Sequence, residues 1–171
     1  MKGTYTLILL CNGPFRRRIG RLGYASIENG YYLYTGSALG RGAISLEGRL
    51  RRHCQISKKI RWHVDYLTSH RNCAVIAAVC LKSGEHLECL ISREIVGRLK
   101  TRPVLPHAGS SDCACEAHLM KVESPITERE VLNALSKVYG MFGEPIRLRQ
   151  DVASRSLALV PIYSRKHRER F

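Results

Sequence analysis

Acidic residues are scarce in this chain. Its 171 residues hold 14 Asp and Glu against 28 Lys and Arg, so the formal net charge is +14 and the pI is near 9.9. That shortage predicts attraction to polyanions, with nucleic acid the first candidate. An anionic membrane is the weaker partner, because no amphipathic basic helix with a strong aromatic face stands out. Long apolar runs are missing too. The stretch Leu7-Ile8-Leu9-Leu10-Cys11 is too short for a span and precedes the basic cluster, so the expectation is a buried strand and neither a signal peptide nor a membrane anchor. Internal repeats and long low-complexity segments are absent. The seven cysteines are odd in number and follow no regular framework. They favour free thiols or metal ligands in a reducing cytoplasm over disulfides.

What remains is globular in composition, 44% hydrophobic and 25% charged, and the length suits one domain plus an extension. Residues 3–11 read as a first strand, closed by the turn Asn12-Gly13-Pro14. Arg16, Arg17, Arg18 and Arg21 belong to a basic hairpin that leads through Tyr24–Ile27 and the turn Glu28-Asn29-Gly30 into a Tyr-rich strand. The glycines at 36, 40 and 42 mark a loop, and a helix over 43–53 follows. On that helix Arg49 and His53 lie four apart and share a face. A second helical face is expected around Trp62 and Tyr66. Cys73–Leu81 reads as a buried strand, and Leu87, Leu90, Ile91, Ile95 and Leu99 space out an amphipathic helix over 85–99. Residues 102–118 read as loop and 118–122 as a final core strand. Thr127 and Glu130 form a capping-box pattern that opens a helix to about Tyr139. One short strand is expected at 157–160, before the basic run from Arg165 to Arg170.

The functional reading starts from the strand, glycine loop and basic helix between Gly30 and His53, which together suit a phosphate. The bland reading is a pair of ordinary strand aromatics beside a solvated Arg-rich helix. Beyond that, Gly3-Thr4-Tyr5 and Tyr34-Thr35-Gly36 resemble the two halves of the signature of the GIY-YIG nuclease superfamily. Arg49-Leu50-Arg51-Arg52-His53 resembles its catalytic helix, and Glu88-Cys89-Leu90-Ile91 its metal-binding glutamate motif. The resemblance covers residues 3–122. It is closest to a compact branch long catalogued as a domain of unknown function, in which Trp62–Leu67 and Gly109–Cys113 also find counterparts.

The resemblance implies an α+β fold: a small antiparallel sheet of about three strands flanked by helices, with the basic hairpin as an insertion. It places a nuclease domain at 1–124 and leaves 125–171 as a basic C-terminal extension. It implies a metal-dependent endonuclease that hydrolyses phosphodiester bonds, in DNA rather than RNA. Tyr5 and Tyr34 would orient or deprotonate water. A free tyrosine has a pKa of about 10, so base work at neutral pH needs a nearby cation to lower it. Arg49 would bind the scissile phosphate through its planar donor fork. His53 would be a second acid–base or phosphate-binding group. Glu88 would hold one Mg2+ or Mn2+. The sequence departs from the superfamily at Ser37, where many members carry lysine, and after Glu88, where no asparagine follows. A non-catalytic nucleic-acid-binding module that keeps the fold is therefore the alternative.

Two further groups stand beside this site. Cys113, Cys115 and His118 are ligand-capable residues within six positions, and His107 is a conceivable fourth, so a zinc-stabilised interaction domain is a third reading. The bland reading of Gly109–Asp112 is a polar turn beside half-buried thiols. Alternatively Ser110, Ser111 and Asp112 shape a substrate groove, and His63 and Asp65 orient a catalytic group, or His63 is a core histidine. Arg16, Arg17, Arg18, Arg21, Lys58, Lys59 and Arg61 are candidate contacts to a nucleic-acid backbone.

Overall fold

A computed structural model of the chain describes residues 1–150 and the backbone of residues 159–161. The fold is α+β. Its sheet is antiparallel throughout but wider than the three strands expected. Strands β1 (Gly3–Cys11), β4 (Gly30–Ala38) and β5 (Cys73–Lys82) form the centre. Four shorter strands extend it: β6 (Thr101–Pro103), β7 (Leu119–Val122), β8 (Ile146–Gln150) and β9 (Leu159–Pro161). The seven strands run in the order β6-β7-β4-β1-β5-β8-β9. The basic hairpin β2 (Phe15–Arg18) and β3 (Tyr24–Ile27) pairs as a separate ribbon.

The central strands are rich in Leu, Tyr, Ala and Thr and buried on both faces, so the period of two sorts their side chains into two layers. Tyr5, Leu7 and Leu9 of β1 join Tyr32 and Tyr34 of β4 on one face, under helix α1 (Leu46–His53) and the single turn α2 (Asp65–Thr68). Ile8, Leu33 and Val79 lie on the other face, under α3 (Glu88–Arg98) and α4 (Glu128–Gly140). A bulge leaves Ile76 unpaired between Ile8↔Ala77 and Leu9↔Val75 and keeps both faces of β5 apolar. Helix α4 carries the expected box: Thr127 N donates to Glu130 Oε2 at 2.8 Å, and Glu130 N to Thr127 Oγ1 at 3.3 Å. Its Tyr139 hydroxyl lies 2.9 Å from Thr6 Oγ1 of β1, so the segment after residue 124 packs on the same sheet as the segment before it.

Several expectations need correction. The helical face expected around Trp62 is a loop, and only Asp65–Thr68 is helical. The Asp65 carboxylate accepts from the backbone N–H of Arg61 at 2.8 Å and of Trp62 at 3.1 Å, which holds that segment in a turn. Helix α1 starts later than expected, capped by Ser45, whose Oγ accepts from Gly48 N at 3.2 Å. Strands β6 and β8 are additions that alternation did not reveal, since only Leu148 of β8 is buried. Cys11 and Cys73 form a disulfide, against the expectation of free thiols or metal ligands, because the β1–β5 register sets them opposite each other. No helix among the described residues is long and apolar enough to cross a membrane. The run Arg165–Arg170 and the first residues of the strand expected at 157–160 lie outside the described residues.

Candidate active-site cleft

A cleft of about 450 Å3 gathers residues from five segments. Tyr34 and Ser37 come from β4 and Arg49 from α1. Arg61, Trp62 and His63 come from the loop before α2, His86 from the turn before α3 and Glu88 from its first residue, and Gly109, Ser111 and Asp112 from the loop before β7. The lining sets two guanidiniums, Arg49 and Arg61, against two carboxylates, Glu88 and Asp112.

Tyr5 lies behind the cleft wall. It is fully buried, with its ring centroid 6.3 Å from that of Tyr34. The β1–β4 register sets Tyr5 opposite Gly36. A Cβ at residue 36 would come within 2.8 Å of the Tyr5 hydroxyl and 3.1 Å of Tyr34 Cε1, so glycine there is what lets both phenols pack side by side. The Tyr5 hydroxyl is 2.9 Å from His53 Nε2. Burial keeps His53 below its ordinary value, with Asp65 opposing and Lys58 and Arg52 reinforcing that shift. A neutral ring with its proton on Nδ1 leaves Nε2 to accept from Tyr5; the tautomer is assigned from these partners. His53 Nδ1 lies 3.7 Å from Asp65 Oδ1, beyond hydrogen-bond length, and has no partner although it is buried.

Asp65 is the electrostatic anchor of this wall and does not line the cleft. Burial favours its neutral form, but the His53 ring, Arg52 and the N–H groups of Arg61 and Trp62 outweigh that and hold the carboxyl well below the usual range. Arg52 donates to it bidentately at 2.9 and 3.0 Å. Arg49 and Arg52 both lie over the Trp62 ring, at 4.4 and 4.6 Å from its centroid. Arg49 Nε is buried without a hydrogen-bond partner. A guanidinium that lines the cleft and is held by stacking is preorganised for an incoming anion.

Burial pushes both tyrosines up. Tyr5 is raised well above the ordinary phenol value, with Arg49 pulling only partly the other way, and Tyr34 is raised likewise. Both are protonated donors in the resting site. His63 accepts from Gly109 N at 3.0 Å through Nδ1, which ties the loop before β7 to the cleft wall. Gly109 has φ +83, and a Cβ there would lie 3.0 Å from Tyr34 Cε2. Ser111 and Asp112 reach the cleft, whereas Ser110 is fully buried and donates to Cys115 O at 2.9 Å.

Glu88 lines the cleft and also turns away from it. Its Oε1 lies 2.7 Å from His118 Nδ1. Burial disfavours charge on His118, but the Glu88 contact outweighs it and holds the imidazole above its ordinary value. Behind His118, the ligand atoms of Cys89, Cys113, Cys115 and His118 all lie within 4.8 Å of one another. The fourth member is Cys89, not His107, which is exposed at φ 63 and lies outside the cluster. Four soft donors of this kind favour a zinc-like cation over magnesium.

The expected backbone contacts divide. Arg16, Arg18, Arg21, Lys59 and Arg61 are exposed. Arg17 Nε donates to Tyr66 O at 3.0 Å and pins the hairpin to α2. Lys58 is turned inward: its ammonium donates to the carbonyls of Arg52 and His53 at 3.3 and 3.0 Å, closing the C-terminus of α1. Burial lowers it to about 8, with Asp65 opposing. Sequence reasoning missed Trp62 as a stacking platform, Arg52 as the partner of Asp65, and Cys89. For Cys89 a signal existed, since it directly follows the glutamate of the motif.

The fold and cleft define a small basic α+β domain whose tyrosine, arginine and glutamate side chains face one anion-sized space. The chain belongs to the family described as Domain of unknown function DUF123, which matches residues 4–140 and so extends through α4. No curated protein and no solved structure gives a significant match.

Proposed function

We propose that this cleft hydrolyses phosphodiester bonds in DNA, as a metal-dependent endonuclease of the GIY-YIG kind. The observation that supports this most is the meeting of Tyr34, Arg49 and Glu88 in one cleft, with the Tyr5–His53 pair directly behind it. Arg49 takes the scissile phosphate through its guanidinium at the cleft and offsets the charge that grows on the phosphoryl oxygens. Tyr34 donates to a phosphate oxygen or orients the attacking water. Tyr5, hydrogen-bonded to His53 Nε2 at 2.9 Å and packed beside Tyr34, fixes the position of that ring in the cleft wall. Arg61 and the exposed hairpin arginines track the backbone without reading sequence.

The donor set fits one hard divalent ion, because Glu88 and Asp112 are the carboxylates that line the cleft and such ions bind through one or two carboxylates and keep several waters. Mg2+ or Mn2+ on Glu88 would supply charge stabilisation at the phosphate and lower the pKa of bound water. The high resting values of both phenols favour a second reading, a nucleic-acid-binding module without cleavage.

Cleavage of supercoiled, branched and single-stranded DNA with Mg2+ and Mn2+ separates the two. The nuclease reading expects cutting by the native protein and its loss in Glu88→Ala. In Arg49→Ala the expected loss is about 10²–10³-fold, the usual cost of removing one oxyanion donor. Absence of cutting on all substrates, with salt-sensitive binding retained, selects the binding module.

A further inference from the structure

We propose that Cys89, Cys113, Cys115 and His118 hold a structural zinc ion, and that this ion positions the Glu88 carboxylate through His118. The zinc site stands without the nuclease reading. Only the consequence for cleavage rests on it.

The geometry carries the site. Tetrahedral zinc, with Zn–S near 2.3 Å and Zn–N near 2.0–2.1 Å, sets its donors about 3.6–3.8 Å apart. Cys113 Sγ and His118 Nε2 are 3.7 Å apart, and all four donor atoms lie within 4.8 Å of one another. Closing the set around an ion shortens the longest donor separation by about 1 Å at most. Four protein donors with no open position match a structural site, not a catalytic one. The scaffold is already built. Ser110 Oγ donates to Cys115 O at 2.9 Å, and His118 N and Leu119 N both donate to Ala108 O at 2.9 Å. Metal binding releases the thiol protons as the sulfurs become thiolates.

The second observation is independent of the donor set. His118 presents Nε2 to the sulfurs and Nδ1 to Glu88 Oε1 at 2.7 Å. A ligating histidine that donates its other N–H to a carboxylate is the usual outer shell of zinc, which fixes the ring and the carboxylate together. Glu88 is thus held twice, by this hydrogen bond and by its peptide bond to Cys89. Helix α3 has no side-chain N-cap, so nothing of the ordinary kind anchors the turn that carries Glu88. The ion would tie that turn to the loop before β7 and aim one carboxylate oxygen at the cleft.

The test uses the full chain purified without chelator. Elemental analysis is expected to find one zinc per chain, as for other closed four-ligand sites, and replacement by Co2+ to give the visible bands of tetrahedral thiolate cobalt. Zinc far below stoichiometry after reconstitution, or a disulfide among these cysteines in its place, overturns the site. Neither readout depends on cleavage, so failure of the nuclease reading leaves them intact. Cys113→Ser tests the same ligand, and the wild-type measurements stand if that variant does not fold. Glu88→Gln is expected to keep its zinc but to bind it about 10–100-fold more weakly in competition with a chromophoric chelator. Unchanged affinity in Glu88→Gln overturns the link to the cleft.

Discussion

The two faces of the sheet differ in how far they rely on buried polar groups. The α3–α4 face is held by apolar packing: Ile91 and Ile95 of α3 meet Val131, Leu135 and Val138 of α4 over Ile8 and Val79. The α1–α2 face mixes that packing with buried polar groups, and its order depends on Arg52 pairing with Asp65, Tyr5 with His53, and Lys58 with the carbonyls that end α1. Chemistry needs polar groups out of water, and such groups are costly to bury unless each has a partner. The first face therefore supplies stability that the second draws on. The cleft lies where Glu88, at the tip of an apolar-face helix, reaches the polar wall.

The sharpest way to break this contrast is Asp65→Ala. It leaves Arg52 without its carboxylate and frees two backbone N–H groups, so a loss of about 3–5 kcal/mol is expected in urea denaturation, together with loss of phosphate affinity in the cleft. A loss below about 1 kcal/mol would mean that the pair is a surface contact in energetic terms. On the opposite face, Ile91→Val is expected to cost only about 0.5–1.5 kcal/mol, because one methylene leaves a packed layer. DNA binding by that variant should match the native protein, and a change would show that the faces are not separable.

The smallest effect is with pH. Burial holds His53 neutral, while Asp65 favours its charged form and Lys58 and Arg52 oppose it. The unfolded chain takes up a proton near pH 6.5 that the folded chain resists. Stability from a neutral His53 is therefore present above that pH and is lost as pH falls below it. Denaturation midpoints of native and His53→Gln proteins between about pH 8 and 5 should converge toward the acid end. Parallel curves would remove His53 from the account.

Local patterns read well wherever the answer lies within one turn or two residues. The Thr127–Glu130 box, the short apolar run of β1 and the spacing of Ile91 and Ile95 needed no partner to be recognised, and each stands in the fold. Trp62 was harder. Its spacing to Tyr66 suits a helix, yet the Asp65 carboxylate captures the backbone before a helix can form. Strand β8 was missed because its alternation, Ile-Arg-Leu-Arg-Gln, is that of an exposed strand beside a sheet it did not announce.

Composition was enough for the basic character, because charge belongs to the chain itself, whereas the α+β class and the association of Tyr34, Arg49 and Glu88 were expected only from the resemblance that the motifs carry. Three matters belonged to the packed molecule. The strand register bonded Cys11 to Cys73. The docking of α3 chose Cys89 over His107 as the fourth donor. The burial of Tyr5 raised its phenol instead of exposing it. Each depends on which distant segment arrives and how much water it expels, and neither is written in the residues on either side.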